Sequence, residues 1–313
     1  MKRVIASVVG MLGLWSAAGQ EKSELSPEDA LARLVSYGII NESPEDEHDD
    51  SVEILQHYAK LRNGDEEIGD FPYCVRLIEA GGTDNRLPVS CLKPFVRAGA
   101  TVQGQEGDTS PLQAAAEAGN EKVAAYLLEA GADVHYLDAE LRTALDYALS
   151  GELRPEHYAT IRLLLSHNAL PTPHAMLYAT LHDTDLLREL VSHGGSMSPE
   201  VVNAAVWNAD SLEYLLSAGA YLHGMEESGL NVTRALLLRI STGKWQAEEL
   251  SRIVDILVQH HAPFYTHMPE EELLLFLPEQ LPPALHSRLL ALYTTKPLPS
   301  FPETDESDVE EVE

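Results

Sequence analysis

The fold is decided by the stretch from Gly107 to Gly151, which reads GDTSPLQAAAEAGNEKVAAYLLEAGADVHYLDAELRTALDYALSG. Near its start, Thr109-Ser110-Pro111-Leu112 has the residue types of a turn that caps a helix. Pro111 suits the first helical turn because the amide that proline lacks would be unpaired there in any residue. The pattern predicts a short helix of small residues, Leu112 to Ala118, which Gly119-Asn120 closes.

A second helix is predicted from Glu121 to Ala130. Gly131 follows it, and glycine is the usual left-handed residue after a helix end. The pattern restarts at Thr143-Ala144, where these two residues take the places of Ser110-Pro111. Apolar residues of the second helix recur at helical spacing and form one face, which consists of Val123, Ala124, Leu127 and Leu128.

The interval from Pro111 to Ala144, which holds a turn and two helices, matches the ankyrin repeat period of about 33 residues. Two motifs resemble that family. Thr109 to Leu112 is similar to its T-P-L-H-x-A signature, and LLEAGADV from Leu127 to Val134 is similar to L-L-x-x-G-A-D-V. The resemblance implies an all-α ankyrin-repeat solenoid of helix-turn-helix units with short hairpin loops. Asp146 replaces the usual histidine, and Leu141 replaces the usual glycine of the hairpin tip.

The ending of the second helix recurs along the chain and predicts an array of degenerate repeats over residues 51–265. The two short intervals, from Leu164 to Leu190 and from there to Leu215, predict shortened hairpins or first helices. The longest interval, which ends at Leu257, predicts an inserted loop at Ser241–Trp245. The ending begins at Leu77, Phe95, Leu127, Leu164, Leu190, Leu215 and Leu257, with a weaker copy at Leu34, and from this array we expect about six repeats.

The two ends of the array have different compositions. Residues 24–50 predict an N-terminal capping helix, which Ser26-Pro27-Glu28-Asp29 would start, and an acidic linker. Residues 266–296 predict a C-terminal helical cap of two helices, Glu270–Leu277 and Pro283–Tyr293. Residues 297–313 are rich in proline, serine and acid, and we expect a disordered acidic tail.

Residues 1–18 have the pattern of a secretory signal peptide. Lys2-Arg3 is followed by an uncharged, mostly apolar run, Val4–Trp15, and then by the small residues Ser16-Ala17-Ala18. This run is too short to span a bilayer but suits a cleavable signal. The pattern predicts an exported protein, periplasmic or secreted; the alternative is an N-terminal helix packed on the first repeat.

The chain has 313 residues and a formal net charge of −29. Such a charge repels phosphate backbones and anionic lipid, so we expect no nucleic acid partner and no membrane insertion after signal cleavage. A basic protein partner is favoured, although the charge also suits a protein that needs it only for solubility. We expect a monomer.

Cys74 and Cys91 are the two cysteines of the chain. If both lie on second helices of neighbouring repeats, which their LIEAGG and FVRAGA endings favour, the thiols would face each other and could form a disulfide. If they lie on the first and second helix of one repeat, the antiparallel arrangement separates them.

Catalytic and metal-binding patterns are weak. His260-His261 and His267 lack a further ligand at a familiar spacing, and there is no phosphate loop, dinucleotide fingerprint or nucleophile elbow. We therefore expect no enzyme activity, no metal and no cofactor. The competing hypothesis is an enzyme or accessory subunit with a site in the C-terminal cap, around His267, His286 and Glu270–Glu272.

The resemblance implies a module that binds a protein through its concave face, built from hairpin tips and first helices. In the family, the residues that vary with the partner lie on the hairpin tip, around the helix cap and at the end of the first helix. Trp207 is a further candidate, because it lies at the turn between two predicted helices; the alternative is a buried role between repeats. The positions that match in this sequence are Glu106, Thr109, Glu117, Ala118, Glu140 and Arg142.

Overall fold

The computed structural model describes residues 25–41, 50–65, 67–68, 71–82, 87–105, 107–150, 153–222, 232–262, 264, 276–278 and 280–293, and all structural statements concern these ranges. Their regular structure is helical, with no strand, which confirms the predicted all-α class. Contacts divide the chain into two compact units, Met1–Ala175 and Met176–Glu313.

The helices of the first unit follow one another in pairs over most of its length. In chain order they are α1 (Pro27–Ser36), α2 (Asp50–Asn63), α3 (Tyr73–Gly81), α4 (Val89–Arg97), α5 (Pro111–Glu117), α6 (Glu121–Glu129), α7 (Ala144–Ala148) and α8 (Pro155–Ser166). The next helix, α9 (Pro173–His182), contains the boundary between the units.

Side-chain caps explain where the central helices begin. The Ser110 hydroxyl accepts a hydrogen bond from the Gln113 amide at 3.2 Å, and the Gln113 side chain accepts one from the Ser110 amide at 2.7 Å. Thr143 and Asp146 form the same reciprocal capping box at the start of α7. Each box satisfies backbone donors that the first helical turn leaves unpaired.

The helices of the first unit form two layers. The first helices α3, α5 and α7 pack side by side, and the second helices α4, α6 and α8 pack in the other layer. Helix α1 packs on α4, in the layer of second helices, and α2 packs on α3, in the layer of first helices. In this pair the order is therefore reversed, because the helix that comes first in the chain lies in the second-helix layer. A capping box at Ser26 starts α1, as the sequence predicts, and its buried face consists of Ala30, Leu31 and Leu34.

The apolar face of α6 is narrower than the sequence suggests. Val123, Ala124 and Leu127 are fully buried, but Leu128 is only half-buried, so its prediction as a core residue is wrong. The helix ends as expected, with Gly131 at a φ of +93°. A Cβ at Gly131 would meet nothing within 4 Å, so the backbone conformation, and not space, favours glycine there.

The favoured interpretation of the two cysteine segments is wrong. Helix α3, which carries Cys74, lies in the first-helix layer, and α4, which carries Cys91, lies in the second. The segments are therefore the two helices of one pair. Both thiols are buried and free, and the disulfide is not formed in this structure.

The second unit also contains helices that follow one another in pairs. It contains α10 (Thr184–Ser192), α11 (Pro199–Ala204), a 3₁₀ turn (Ala205–Trp207), α12 (Ala209–Ser217), α13 (Val232–Ser241), α14 (Ala247–Gln259) and α15 (Pro283–Leu292). Helix α12 packs between α10 and α14, and α11 and the 3₁₀ turn pack on α13. Asp183 alone joins α9 to α10, and Asn208 alone joins the 3₁₀ turn to α12.

The insertion predicted at Ser241–Trp245 falls between two helices, because residues 242–246 connect α13 to α14. Residues 223–231, between α12 and α13, lie outside the described residues. The short repeat spacings arise in the loops, because only the segment 167–172 joins α8 to α9, and only 193–198 joins α10 to α11.

The C-terminal helix α15 is fixed to the last helix pair. The Tyr293 hydroxyl donates to the Thr233 carbonyl at 2.5 Å, and Arg288 pairs with Asp255 at 2.6 Å. Most of the predicted helix Glu270–Leu277, the signal region and the acidic tail lie outside the described residues. Within the described part of the chain, every helix is too short or too polar to cross a membrane.

Candidate functional site

The hairpin between α6 and α7 is organised by one buried carboxylate, Asp138. One of its oxygens accepts the backbone amides of Glu140 at 2.9 Å and Arg142 at 2.8 Å. The other accepts the Arg142 Nε and the Tyr147 hydroxyl, each at 2.9 Å. The tip is therefore held by side-chain bonds from both the loop and helix α7.

Electrostatics at this tip favour the charged form of Asp138. Burial alone would raise the pKa of its carboxyl, but the bonds from Arg142, Tyr147 and Glu140 outweigh burial and lower the pKa below its usual value. The pKa of the Tyr147 hydroxyl is raised, mainly by burial. Arg142 also lies over the Tyr147 ring, 4.5 Å from its centroid, so its partly exposed guanidinium has a fixed position.

Leu141 has the left-handed backbone conformation that its position in the hairpin requires. Its φ is +60°, and its amide donates to the Asp138 carbonyl at 3.0 Å. Leu141 thus forms the same turn as the usual glycine, but its backbone is strained because a leucine disfavours a positive φ. The leucine side chain is 73% exposed, so the tip presents an apolar group to solvent.

The preceding hairpin, between α4 and α5, is tied to this one. The Gln103 side chain donates to the Gly131 carbonyl at 2.6 Å and accepts the Asp133 amide at 3.1 Å. The Tyr136 hydroxyl donates to the Gln105 and Asp108 carbonyls. A Cβ at Gly104 would overlap the Tyr136 ring, so glycine allows the two hairpins to approach.

A pocket of about 240 Å³ opens between the α4–α5 hairpin and helix α3. Its wall on α3 is charged, because Arg76 pairs with Glu79 at 3.1 Å and with Glu53 at 3.2 Å. Thr109 lies on the hairpin side, and its hydroxyl is 3.2 Å from the Tyr147 hydroxyl. We call this pocket together with the tip Asp138–Arg142 the hairpin face.

Residues 83–175 match the family model of ankyrin repeats, in three copies. The chain contains ankyrin repeats. Among solved structures, it is similar to the ankyrin repeat domain of human ASB11, with 18% sequence identity and a TM-score of 0.48, over 68% of this chain and 97% of that one. No curated protein matches the sequence.

The structure brings most of the predicted ankyrin contact residues to the first unit. Glu117, Glu140 and Arg142 are exposed, and Thr109 is half-buried beside the pocket. Ala118 is 6% exposed, so the prediction that its side chain is available to a partner is wrong: the tight turn after α5 packs it inward. Glu106 lies outside the described residues.

Trp207 belongs to the second unit, at the end of a first helix. Its side chain is 39% exposed. Its ring faces the buried Arg239, whose guanidinium carbon is 5.4 Å from the ring centroid. Arg239 also donates to the Val206 carbonyl and pairs with Glu249 at 2.7 Å, so the indole rests on a fixed cation.

Sequence reasoning missed two polar residues that join consecutive ankyrin repeats. Gln113, at the position of the usual histidine, donates from its amide to the Arg142 carbonyl at 2.7 Å. Asp146, at the equivalent position of the next repeat, accepts from the Thr172 hydroxyl and lies 3.6 Å from His174 Nδ1. The sequence did carry a signal for this role, because Gln113 and Asp146 each lie three residues after a capping residue, Ser110 or Thr143.

The described residues offer little for catalysis. They contain no group of three or more His, Cys, Asp or Glu side chains placed to hold a metal. Burial raises the pKa of the Cys74 thiol to about 12, which leaves it protonated and unreactive at neutral pH. Of the alternative site in the C-terminal cap, His267 and Glu270–Glu272 lie outside the described residues, and His286 is half-buried on α15.

Proposed function

We propose that this protein is a non-enzymatic scaffold that binds a basic protein partner through its hairpin face, in the way that the ankyrin resemblance implies for a concave face. Ankyrin repeats are generally protein-protein interaction modules, and this chain contains them. The observation that carries the proposal is the hairpin tip. A buried carboxylate with four hydrogen bonds fixes the backbone there, while Leu141, Glu140 and Arg142 remain exposed.

A pre-organised tip favours binding because little conformational entropy remains to be lost when the partner arrives. Leu141 offers an apolar contact, and the pocket beside Thr109 offers a recess for a partner side chain. The net charge of −29 favours encounter with a cationic surface. We propose a monomer that is exported after removal of residues 1–18, so the partner would be met outside the cytoplasm.

The experiment is a charge reversal at two exposed residues, Glu140→Lys in the hairpin face and Glu117→Lys at the end of helix α5. A partner is captured with the parent from the extracytoplasmic fraction, identified, and titrated against both proteins. We expect weaker binding by the variant, nearly unchanged melting, and weaker parent binding as salt rises, because exposed charges are screened within about 10 Å at 0.1 M ionic strength.

Deletion of Glu303–Glu313 is the control, because an acidic tail can attract basic proteins without specificity. Partner binding that survives the deletion and falls in the double variant supports the hairpin face. Binding that disappears with the tail and is untouched by the double variant contradicts it.

A further inference from the structure

The pocket of the hairpin face combines apolar and polar groups in one lining. Pro72, Val75 and Pro111 contribute apolar surface to it. The connection between α4 and α5 contributes polar side chains, among them Gln103, Gln105 and Asp108. Sites for drug-sized molecules measure about 300–1,000 Å³. The volume here is about 240 Å³, which suits a single side chain of a protein partner.

Carboxylates outnumber bases at this pocket. Arg76 is the one base among the described residues that line it, and its guanidinium already pairs with Glu79 at 3.1 Å and with Glu53 at 3.2 Å. Asp108 adds a third carboxylate, which makes no ion pair with any described residue. Because two acids balance the one guanidinium and a third remains, the described lining favours a cation over an anion.

The backbone that carries Asp108 is held by both hairpins. Its amide donates to the Gln105 carbonyl at 3.0 Å, and its carbonyl accepts from the Tyr136 hydroxyl at 3.0 Å. Gly107, one residue earlier, accepts the Ala139 amide at 3.2 Å. A fixed backbone restricts the positions that the exposed carboxylate can reach, so less conformational entropy remains to be lost when a cation pairs with it.

The exposed leucine of the tip lies near the same pocket. Ala139, which is bonded to Gly107, comes two residues before Leu141, and Gly107 comes one residue before Asp108. Because consecutive Cα atoms are 3.8 Å apart, this connection keeps the Cα atoms of Leu141 and Asp108 within about 19 Å. A short segment of a partner can therefore contact the pocket and the leucine together.

We propose that the pocket receives a lysine or arginine side chain of the partner, whose charged group pairs with Asp108. The inference rests on the proposed function and names the group that the hairpin face recognises. The methylene stem would pack on Pro72, Val75 and Pro111. Such stems bury their carbon atoms against apolar surface while the charged end stays near water. A neutral apolar side chain would leave the Asp108 carboxylate without a partner, and an acidic one would be repelled by it.

The test uses the full-length protein and n-butylammonium, which has the stem and the charged end of a lysine side chain. NMR spectra of the valine methyl groups follow the titration, at constant total ionic strength. The Val75 methyl signals should shift in a saturable way, with a Kd on the order of 10 mM for so small a probe. Valines remote from the pocket should not shift. The absence of a saturable shift at Val75 would overturn the proposal.

Two control probes separate the contributions of the charge and the stem. The uncharged n-butanol should bind about two- to fivefold more weakly, because an exposed ion pair contributes modestly. Methylammonium keeps the charge but has only one carbon atom, and it should bind at least about tenfold more weakly. If n-butanol binds as tightly as n-butylammonium, the pocket is an apolar recess and not a site for a cation, and the proposal is wrong.

A variant of the protein identifies the carboxylate. Asp108→Asn keeps the backbone carbonyl that Tyr136 contacts, and it should weaken n-butylammonium binding about two- to fivefold without changing n-butanol binding. The matched control is Asp133→Asn, an exposed acid of the next hairpin that does not line the pocket. It should leave both affinities unchanged. Equal loss of n-butylammonium binding in the two variants would mean that net charge alone attracts the probe, which overturns the proposal.

Melting curves accompany each titration. If Asp108→Asn is unstable, the salt dependence of the parent decides the question, because n-butylammonium binding should weaken as salt rises and n-butanol binding should not. Failure here is distinguishable from failure of the proposed function. A partner that binds Asp108→Asn as tightly as the parent, but binds the double variant Glu117→Lys with Glu140→Lys more weakly, would keep the hairpin face and overturn the cation pocket.

Discussion

Asp138→Ala should destabilise the protein by about 3 kcal/mol. The substitution removes a carboxylate that accepts four hydrogen bonds, which come from two backbone amides, the Arg142 guanidinium and the Tyr147 hydroxyl. A hydrogen bond to a charged group contributes about 1.5–3 kcal/mol, but water can reach the Glu140 and Arg142 amides once the side chain is gone. The total therefore falls well below the sum of four such bonds.

The assay is urea and thermal unfolding followed by circular dichroism, with Asp133→Ala as a matched control. Asp133 lies in the same hairpin and also accepts a backbone amide two residues ahead, from His135 at 2.9 Å, but it is exposed. We expect Asp138→Ala to lower the melting temperature by roughly 6–12 °C, and Asp133→Ala to lower it by only a few degrees. Equal shifts would refute the claim that Asp138 organises the hairpin.

The pH dependence gives a second check with Asp138→Asn. Because the folded-state pKa of Asp138 is lowered, its stabilisation is present above the unfolded pKa of about 4 and is lost as pH falls through the folded value. The stability difference between parent and Asp138→Asn should therefore be constant near neutral pH and shrink below about pH 4. A difference that grows on acidification would contradict the lowered pKa.

Three further predictions concern the core, the strained tip and processing. Leu127→Ala should lower the free energy of unfolding by about 2–5 kcal/mol. Leu128→Ala should lower it clearly less, because Leu128 is half-buried. Equal losses would mean that both leucines belong to the core. Leu141→Gly should stabilise the protein by about 1 kcal/mol, measured by urea unfolding, because glycine relieves the left-handed strain; destabilisation would mean that the φ of +60° is unstrained. N-terminal sequencing of exported protein should find residues 1–18 absent, whereas an intact Met1 in the cytoplasm would contradict export.

The sequence predicts the central repeat well because local signals agree there. A cap, a proline in the first turn and a left-handed glycine after the second helix fix both helices of Pro111–Glu129. The segment at Leu77 was misplaced because a first helix can also end in apolar residues followed by Ala-Gly. Only the packing of α3 on α5 shows that this segment is a first helix and not a second helix. Such packing cannot be read from a local stretch of sequence.

The candidate site could be predicted only in part, for the same reason. Exposure of Glu117 and Glu140 follows from local pattern, whereas burial of Ala118 depends on how the tight turn packs. Asp138 gave no signal as an organising residue, because its partners Arg142 and Tyr147 meet it only after the hairpin has closed. Trp207 was visible in the sequence, but its support by Arg239, which lies in the following helix pair, was not.

The reversed order of α1 and α2 limits how this protein can acquire new repeats. In every later pair of the first unit, the chain leaves a second helix and enters the next first helix, so one whole pair can be duplicated in frame. At α3 the chain arrives from α2, which already lies in the first-helix layer. A pair copied between α2 and α3 would separate α1 from α4 and α2 from α3, whereas a pair copied after α4 would leave both contacts intact. Lengthening of the array by duplication should therefore occur after α4, and the contacts of the α1–α2 pair with α3 and α4 should be kept.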